Sequence, residues 1–209
     1  MILYSYWRST TSVRVRAALN LKGVPYDIRS VNLPDGAQHR SDYAALNPAR
    51  GVPTLVLDDG TVLTQSMAIL EWLDEAYPST ALLPSDPVKR AQVRAAAQII
   101  AMDIHPINNL KVTEHLKGMG HSADEVSGWM RHWMAQGFAA FQAMISREGP
   151  FSFGDTLTQA DLCLVGQMVN ARRWGLDLTP FARRVSIDEA ARAIPAIAAA
   201  LPENQPDAL

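Results

Sequence analysis

The sequence predicts an α/β amino-terminal domain over residues 1–80 and an all-α carboxy-terminal domain over residues 86–209, and three observations carry that prediction. Short strand-like runs alternate with helical patterns as far as Tyr77-Pro78. Asp59-Gly60 between apolar runs is a two-residue hairpin signal. Beyond Leu82-Leu83-Pro84 the strand signals stop and long stretches with helical spacing take over.

Ile2 to Tyr6 alternates apolar and less apolar residues as a strand does, and the following Ser/Thr tract supplies N-cap candidates for a helix from Val13 to Lys22. Gly23 stands where a C-cap belongs, Pro25 blocks continuation, and Tyr26 to Val31 reads as a second strand parallel to the first. A short helical stretch from about Gln38 to Leu46 leads through Asn47-Pro48 to a third strand, Val52 to Leu57. Thr61 to Thr64 should return antiparallel after the hairpin, and Ser66 is placed to cap a helix carrying Ile69, Leu70, Leu73 and Ala76. The helical half opens with Val88 to about Met102, where Pro106 predicts a bend over residues 103–108, and continues with about Ala123 to Ser146. Within the latter, Trp129 and Trp133 at i, i+4 read as core packing. Thr158-x-x-Asp161 is a capping box that opens an apolar helix through about Ala171, and the tail after Pro202 is expected to fray.

The 209 residues are 48% hydrophobic and 19% charged, the composition of a chain that folds around a core. A net charge of −2 with no sustained Lys/Arg block argues against nucleic acid as a partner. No apolar run approaches the roughly 18 residues that span a bilayer, and Met1 leads straight into a strand without a basic leader, so a cytoplasmic, membrane-free protein is expected. One cysteine, Cys163, lies in an apolar helical run and reads as buried and structural. No metal-ligand spacing stands out.

The tract Ser9-Thr10-Thr11-Ser12 has chemical potential beyond capping. Hydroxyls at a helix start, together with its unpaired N–H groups and the positive end of the helix dipole, form an anion site able to stabilise a thiolate. Judged on the tract by itself, capping is the simpler reading; its place after the first strand favours chemistry.

The βαβ, ββα order followed by helices, with Val52-Pro53 and Gln65-Ser66 at their positions, resembles the glutathione transferase family over nearly the whole chain, with a thioredoxin-like first domain. Tyr6-Trp7-Arg8-Ser9-Thr10-Thr11-Ser12-Val13-Arg14-Val15-Arg16 is similar to the zeta-class signature Ser-Ser-Cys-x-x-Arg-x-Arg, with Thr replacing its second Ser and its Cys. Ala45-Leu46-Asn47-Pro48, Ile104 to Asn109 and Asn170 to Pro180 fit the same class, particularly its bacterial maleylpyruvate isomerases.

The resemblance implies glutathione as cofactor, with Ser9 the principal hydroxyl toward its sulfur and Thr10 and Thr11 in support. It implies a cis-Pro53 that presents the Val52 backbone to the cysteinyl peptide, Gln65-Ser66 for the γ-glutamyl carboxylate, and Gln38, or neighbouring His39 after a one-residue shift, for the glycyl end. The implied second substrate is a keto cis-enediacid, a dianion that calls for cations, for which Arg8, His105 and Arg173 are candidates, with Asn109 as a neutral donor. Leu110-Lys111 offers one basic residue where the maleylpyruvate enzymes tend to carry more, which leans toward maleylacetoacetate and leaves both open. The expected activity is glutathione-dependent cis–trans isomerisation by a homodimer. The alternatives are a general transferase or dehalogenase acting on small α-haloacids and a non-enzymatic binding protein of the same fold.

Overall fold

A computed structural model describes residues 1–208. The chain divides into two compact units, one formed by Met1–Leu82 together with Arg192–Leu209 and the other by Leu83–Ala191. In the first unit a four-stranded sheet has the order β2-β1-β3-β4, with β1 Ile2–Ser5, β2 Asp27–Ser30, β3 Thr54–Val56 and β4 Val62–Thr64. β1 and β2 are parallel, and β3 runs antiparallel to both β1 and β4.

Helix α1, Thr10–Leu21, makes the crossover between β1 and β2. Every residue from Thr10 to Leu19 is buried, so α1 is covered all round rather than along one stripe. It packs against α3, Ser66–Ala76, and against the short helix at Pro195–Ala198. Between β2 and β3 lie a 3-10 turn at Ala37–His39 and α2, Ser41–Leu46.

The carboxy-terminal segment departs from expectation. The sequence reading carries the helical part to residue 209 and frays the end, whereas residues from Arg192 onward group with the sheet unit. The reason lies in Arg16, which is fully buried in α1 and needs acceptors: it donates to Ala200 O, Ser5 Oγ and Trp7 O at 2.9, 2.8 and 3.0 Å. Desolvation lowers its pKa to about 10, so it stays charged at neutral pH. Gln205 is buried and donates to Ala199 O and Leu201 O, while Asp207 accepts from Ser30 Oγ at 2.6 Å and from Trp7 N at 3.2 Å. The tail is thereby tied to the loop that follows β1.

The second unit is helical. Its α4, Pro87–Gln98, capped by Asp86, runs into a π-helical stretch at Ile99–Ile104 and a 3-10 turn at Pro106–Asn108, the form taken by the bend expected near Pro106. Then come α5 Leu110–Gly118, α6 Ala123–Met144, α7 Gln159–Arg173 and α8 Ala182–Arg192; the short Pro195–Ala198 helix of the first unit is α9. α6 buries Val126, Met130, Met134, Phe138 and Phe141 along one face. Gly137 lets Ile104 approach it closely, since a Cβ there would lie 2.3 Å from the Ile104 side chain. The Trp129/Trp133 pair is half-buried rather than core: the rings meet edge to face at 5.7 Å, and Trp129 Nε1 donates to Ile107 O, holding the 3-10 turn. Cys163 is fully buried in α7. Among the described residues, no helix is long and apolar enough to cross a membrane.

Candidate functional site

Ser9 is the N-cap of α1, with extended backbone angles and a side chain that accepts from Ser12 N at 3.2 Å. Its hydroxyl lies 2.8 Å from Thr11 Oγ1, and Thr11 Oγ1 donates to Val52 O at 2.8 Å. A threonine hydroxyl has one proton, and Thr11 gives its proton to Val52, so Ser9 is the donor in the bond between the two hydroxyls. The relay runs from Ser9 through Thr11 to Val52. Thr10, Thr11 and Ser12 are 6%, 8% and 0% exposed, whereas Ser9 is only half-buried. Of the tract, Ser9 presents the reachable hydroxyl, and turning its proton from Thr11 to an incoming anion keeps the cap to Ser12 intact.

The Val52-Pro53 peptide bond is cis. The expectation of a fully available Val52 backbone needs amendment, because the carbonyl already accepts from Thr11. The Val52 N–H makes no hydrogen bond to a described residue. The loop is held from beneath: Tyr43 Oη donates to Gly51 O, and Asn47 Nδ2 reaches Gly51 O and Thr54 Oγ1, each at 2.9 Å. Asn47 and Tyr43 are buried, and burial pushes the Tyr43 phenol up from its ordinary pKa.

At the start of α3 the structure corrects a second expectation. Ser66 is not the cap; Gln65 occupies the N-cap position with φ 68°, and its side chain makes no capping bond. A left-handed glutamine is strained, and such strain collects at ligand sites. Ser66 Oγ instead accepts from Arg14 Nη1 at 3.3 Å. Arg14 is 1% exposed, and its Nε and Nη2 make no hydrogen bond. Sequence reasoning gave Arg14 no role. The available signal was an arginine set between Val13 and Val15 in the crossover helix.

Gln38 is buried in its 3-10 turn with its Oε1 unpartnered, while His39 is exposed, which favours Gln38 of that pair. Arg8 donates from Nε and Nη2 to Tyr6 Oη at 3.2 and 2.9 Å and lies over the Trp7 ring at 4.6 Å, so its guanidinium is held beside the Ser9 cap. A tripeptide with a thiol, a carboxylate and backbone amides fits this donor set: a reachable hydroxyl, an unused N–H at Val52, and Ser66 backed by a buried cation.

In the helical unit, Asn109 caps α5 by accepting from Lys111 N through Oδ1. That fixes the amide orientation and turns Nδ2 toward His105 Nε2, 3.3 Å away. The donor and acceptor roles in this pair follow the imidazole tautomer, and the contact places His105 beside the Asn109 amide. Arg173 is exposed at the end of α7 and lies 5.4 Å over the Trp174 ring, while its neighbour Arg172 pairs with Asp188 at 2.6 Å.

Residues 8–76 match the model of the glutathione S-transferase N-terminal domain. The chain is 46% identical to the maleylacetoacetate isomerase of Pseudomonas aeruginosa, over 99% of this chain and 98% of that protein. Its structure matches holo maleyl pyruvate isomerase, described as a bacterial glutathione S-transferase of the zeta class, with a TM-score of 0.97 and 45% identity over the whole of both chains. It also matches maleylacetoacetate isomerase from Anaeromyxobacter dehalogenans 2CP-1, solved with dicarboxyethyl glutathione and citrate in its active site. There the TM-score is 0.90 and the identity 42%, over 100% of this chain and 93% of that one.

Proposed function

The chain belongs to the zeta-class glutathione transferase family of maleylacetoacetate and maleylpyruvate isomerases, and on that premise we propose that it is a glutathione-dependent cis–trans isomerase of a keto enediacid. Bound glutathione supplies a thiolate that adds reversibly to the activated double bond, so that the carbons rotate about a single bond before elimination restores the alkene and releases the thiolate unchanged. The observation that carries the reading is the half-buried Ser9 hydroxyl at the start of α1, backed by Thr11.

An ordinary thiol has a pKa of about 8.5 and is mostly protonated at neutral pH. Ser9 turns its proton to the sulfur, and the N-terminal dipole of α1 adds positive potential there. Val52 pairs with the cysteinyl peptide beside cis-Pro53. Ser66 and the start of α3, with Gln65, receive the γ-glutamyl carboxylate. Gln38, buried in its 3-10 turn, takes the glycyl end. Arg8, Arg173 and His105 receive the dianion, and Asn109 adds a neutral donor. The enzyme acts in the cytoplasm as a homodimer in the breakdown of aromatic compounds.

The deciding experiment is a spectrophotometric isomerase assay of maleylacetoacetate and maleylpyruvate with and without glutathione. Turnover that depends on glutathione is expected, and turnover indifferent to it would overturn the mechanism. In the same assay, Arg173→Met should raise the KM of the dicarboxylate on the order of tenfold, the loss of one charge-assisted contact, and leave the KM of glutathione within about twofold. An unchanged dicarboxylate KM removes Arg173 from the site.

A further inference from the structure

Arg14 is the least explained charge in the sheet unit. It projects from α1, is 1% exposed, and its Nε and Nη2 are sealed from solvent without a hydrogen-bond partner. Its one hydrogen bond, from Nη1, goes to Ser66 Oγ at the first residue of α3. A guanidinium buried with two unmet donor nitrogens is costly, and such a group persists where something offsets it. A capping role does not supply the offset, because Ser66 is inside the helix and the N-cap residue, Gln65, makes no side-chain cap.

We propose that Arg14 is a positioning residue for the glutamyl α-carboxylate of glutathione, acting through Ser66. The inference rests on the placement of that carboxylate at Ser66. Arginine has no acceptor, so in the Arg14–Ser66 bond the serine oxygen accepts and its own proton is left to point elsewhere. No described residue accepts that proton. Ser66 is therefore pre-set as a donor at the positive end of α3, with a full positive charge directly behind it. An anion at Ser66 gains a hydrogen bond polarised by the guanidinium, and the guanidinium gains a counter-charge it otherwise lacks. Because Nε and Nη2 are inaccessible, the carboxylate does not touch Arg14, and the effect passes through the serine hydroxyl and the local field.

The consequence is discrimination by charge, which a merely structural arginine would not confer. Calorimetric Kd values are compared for glutathione and for its analogue with the glutamyl α-carboxylate converted to the carboxamide. The wild-type chain should bind glutathione more tightly than the amide. Arg14→Met should weaken glutathione roughly tenfold or more while changing the amide by less than about twofold, so that the ratio collapses. Ser66→Ala should move the ratio the same way, and the double variant should lose less than the product of the two single losses. Arg14→Gln, which keeps a donor for Ser66 without the charge, should also collapse the ratio and serves where Arg14→Met does not fold.

Equal weakening of both ligands, or a ratio that stays at the wild-type value in a folded Arg14 variant, overturns the proposal. If Ser66→Ala weakens glutathione but neither Arg14 variant does, the carboxylate site stands and Arg14 is excluded from it. If Ser66→Ala has no effect, the placement of the carboxylate falls and this inference falls with it.

Discussion

Replacing Ser9 with Ala lowers kcat on the order of 10²-fold or more, because it removes the reachable hydroxyl that meets the developing thiolate. Thr11 spends its proton on Val52 O, and Thr10 and Ser12 are nearly sealed, so Ser9 holds the one proton of the tract placed to turn outward. Ser9→Ala also deletes the cap to Ser12, which costs about 1 kcal/mol of stability. The two losses are separable. Ser9→Gly removes the same hydroxyl at a capping cost of a few tenths of a kcal/mol and should show the same catalytic loss. Ser9→Thr keeps both functions and should retain most of the rate. The ultraviolet absorbance of the bound thiolate gives a second readout: its titration midpoint should rise in Ser9→Ala toward the ordinary value of about 8.5. Unchanged rate and midpoint would pass the role to Thr10 or to the helix end.

Much of the sheet unit was legible because its signals are local. Asp59-Gly60, Pro25 and Pro53 punctuate the chain, and the β1–β2 and β3–β4 pairings follow from the crossover helix and the two-residue turn, whereas the placing of β3 beside β1, after the long connection over residues 31–53, carried no local signal. Ser9 was legible locally as a cap between a strand and a helix, and its role toward sulfur came from the family resemblance. The long-range hydrogen bonds were not: Thr11 to Val52, Arg14 to Ser66 and Arg16 to Ala200 join residues whose spacing in sequence carries no trace of contact. Ser66 shows the difficulty. In sequence it has the credentials of a cap, and the left-handed Gln65 that displaces it from that position is set by the tertiary path of the chain.

Two helices of the second unit escaped for a related reason. α5 buries only Thr113, so it has no apolar stripe to detect. α8 puts Arg184 and Asp188 among its buried positions, so its inward face is partly charged and defeats a hydrophobic pattern. Arg184 donates from Nη1 to Phe138 O and Gln142 Oε1 and lies 4.3 Å from the Phe181 ring centroid, while its buried Nε has no hydrogen-bond partner. Desolvation lowers its pKa to about 10, so the cation persists at neutral pH. Polar satisfaction of this kind depends on neighbours far away in sequence, and hydrophobic periodicity is blind to it.

The largest stability loss is expected at Asp161, where a local sequence signal and a long reach coincide. Its carboxylate accepts from Thr158 N at 2.7 Å and from the Thr158 hydroxyl at 2.9 Å, which fixes the entry to α7. The other oxygen accepts from Ser152 N at 2.7 Å and so pins the turn that precedes the helix. All of these groups are buried, and α7 itself contributes Leu162, Cys163, Leu164, Val165 and Met168 to the core. Burial pushes the carboxyl up from the ordinary aspartate pKa while the three donors pull it down. Asp161→Ala leaves two backbone N–H groups buried without an acceptor, at about 1–3 kcal/mol each, so a total near 4 kcal/mol is expected from urea unfolding monitored by circular dichroism. Asp161→Asn should cost less, because one amide oxygen can still serve Thr158 or Ser152 while the amide nitrogen faces another donor. A loss below about 1 kcal/mol for Asp161→Ala would mean that water reaches both N–H groups once the side chain is gone, and that α7 is held by its apolar contacts alone.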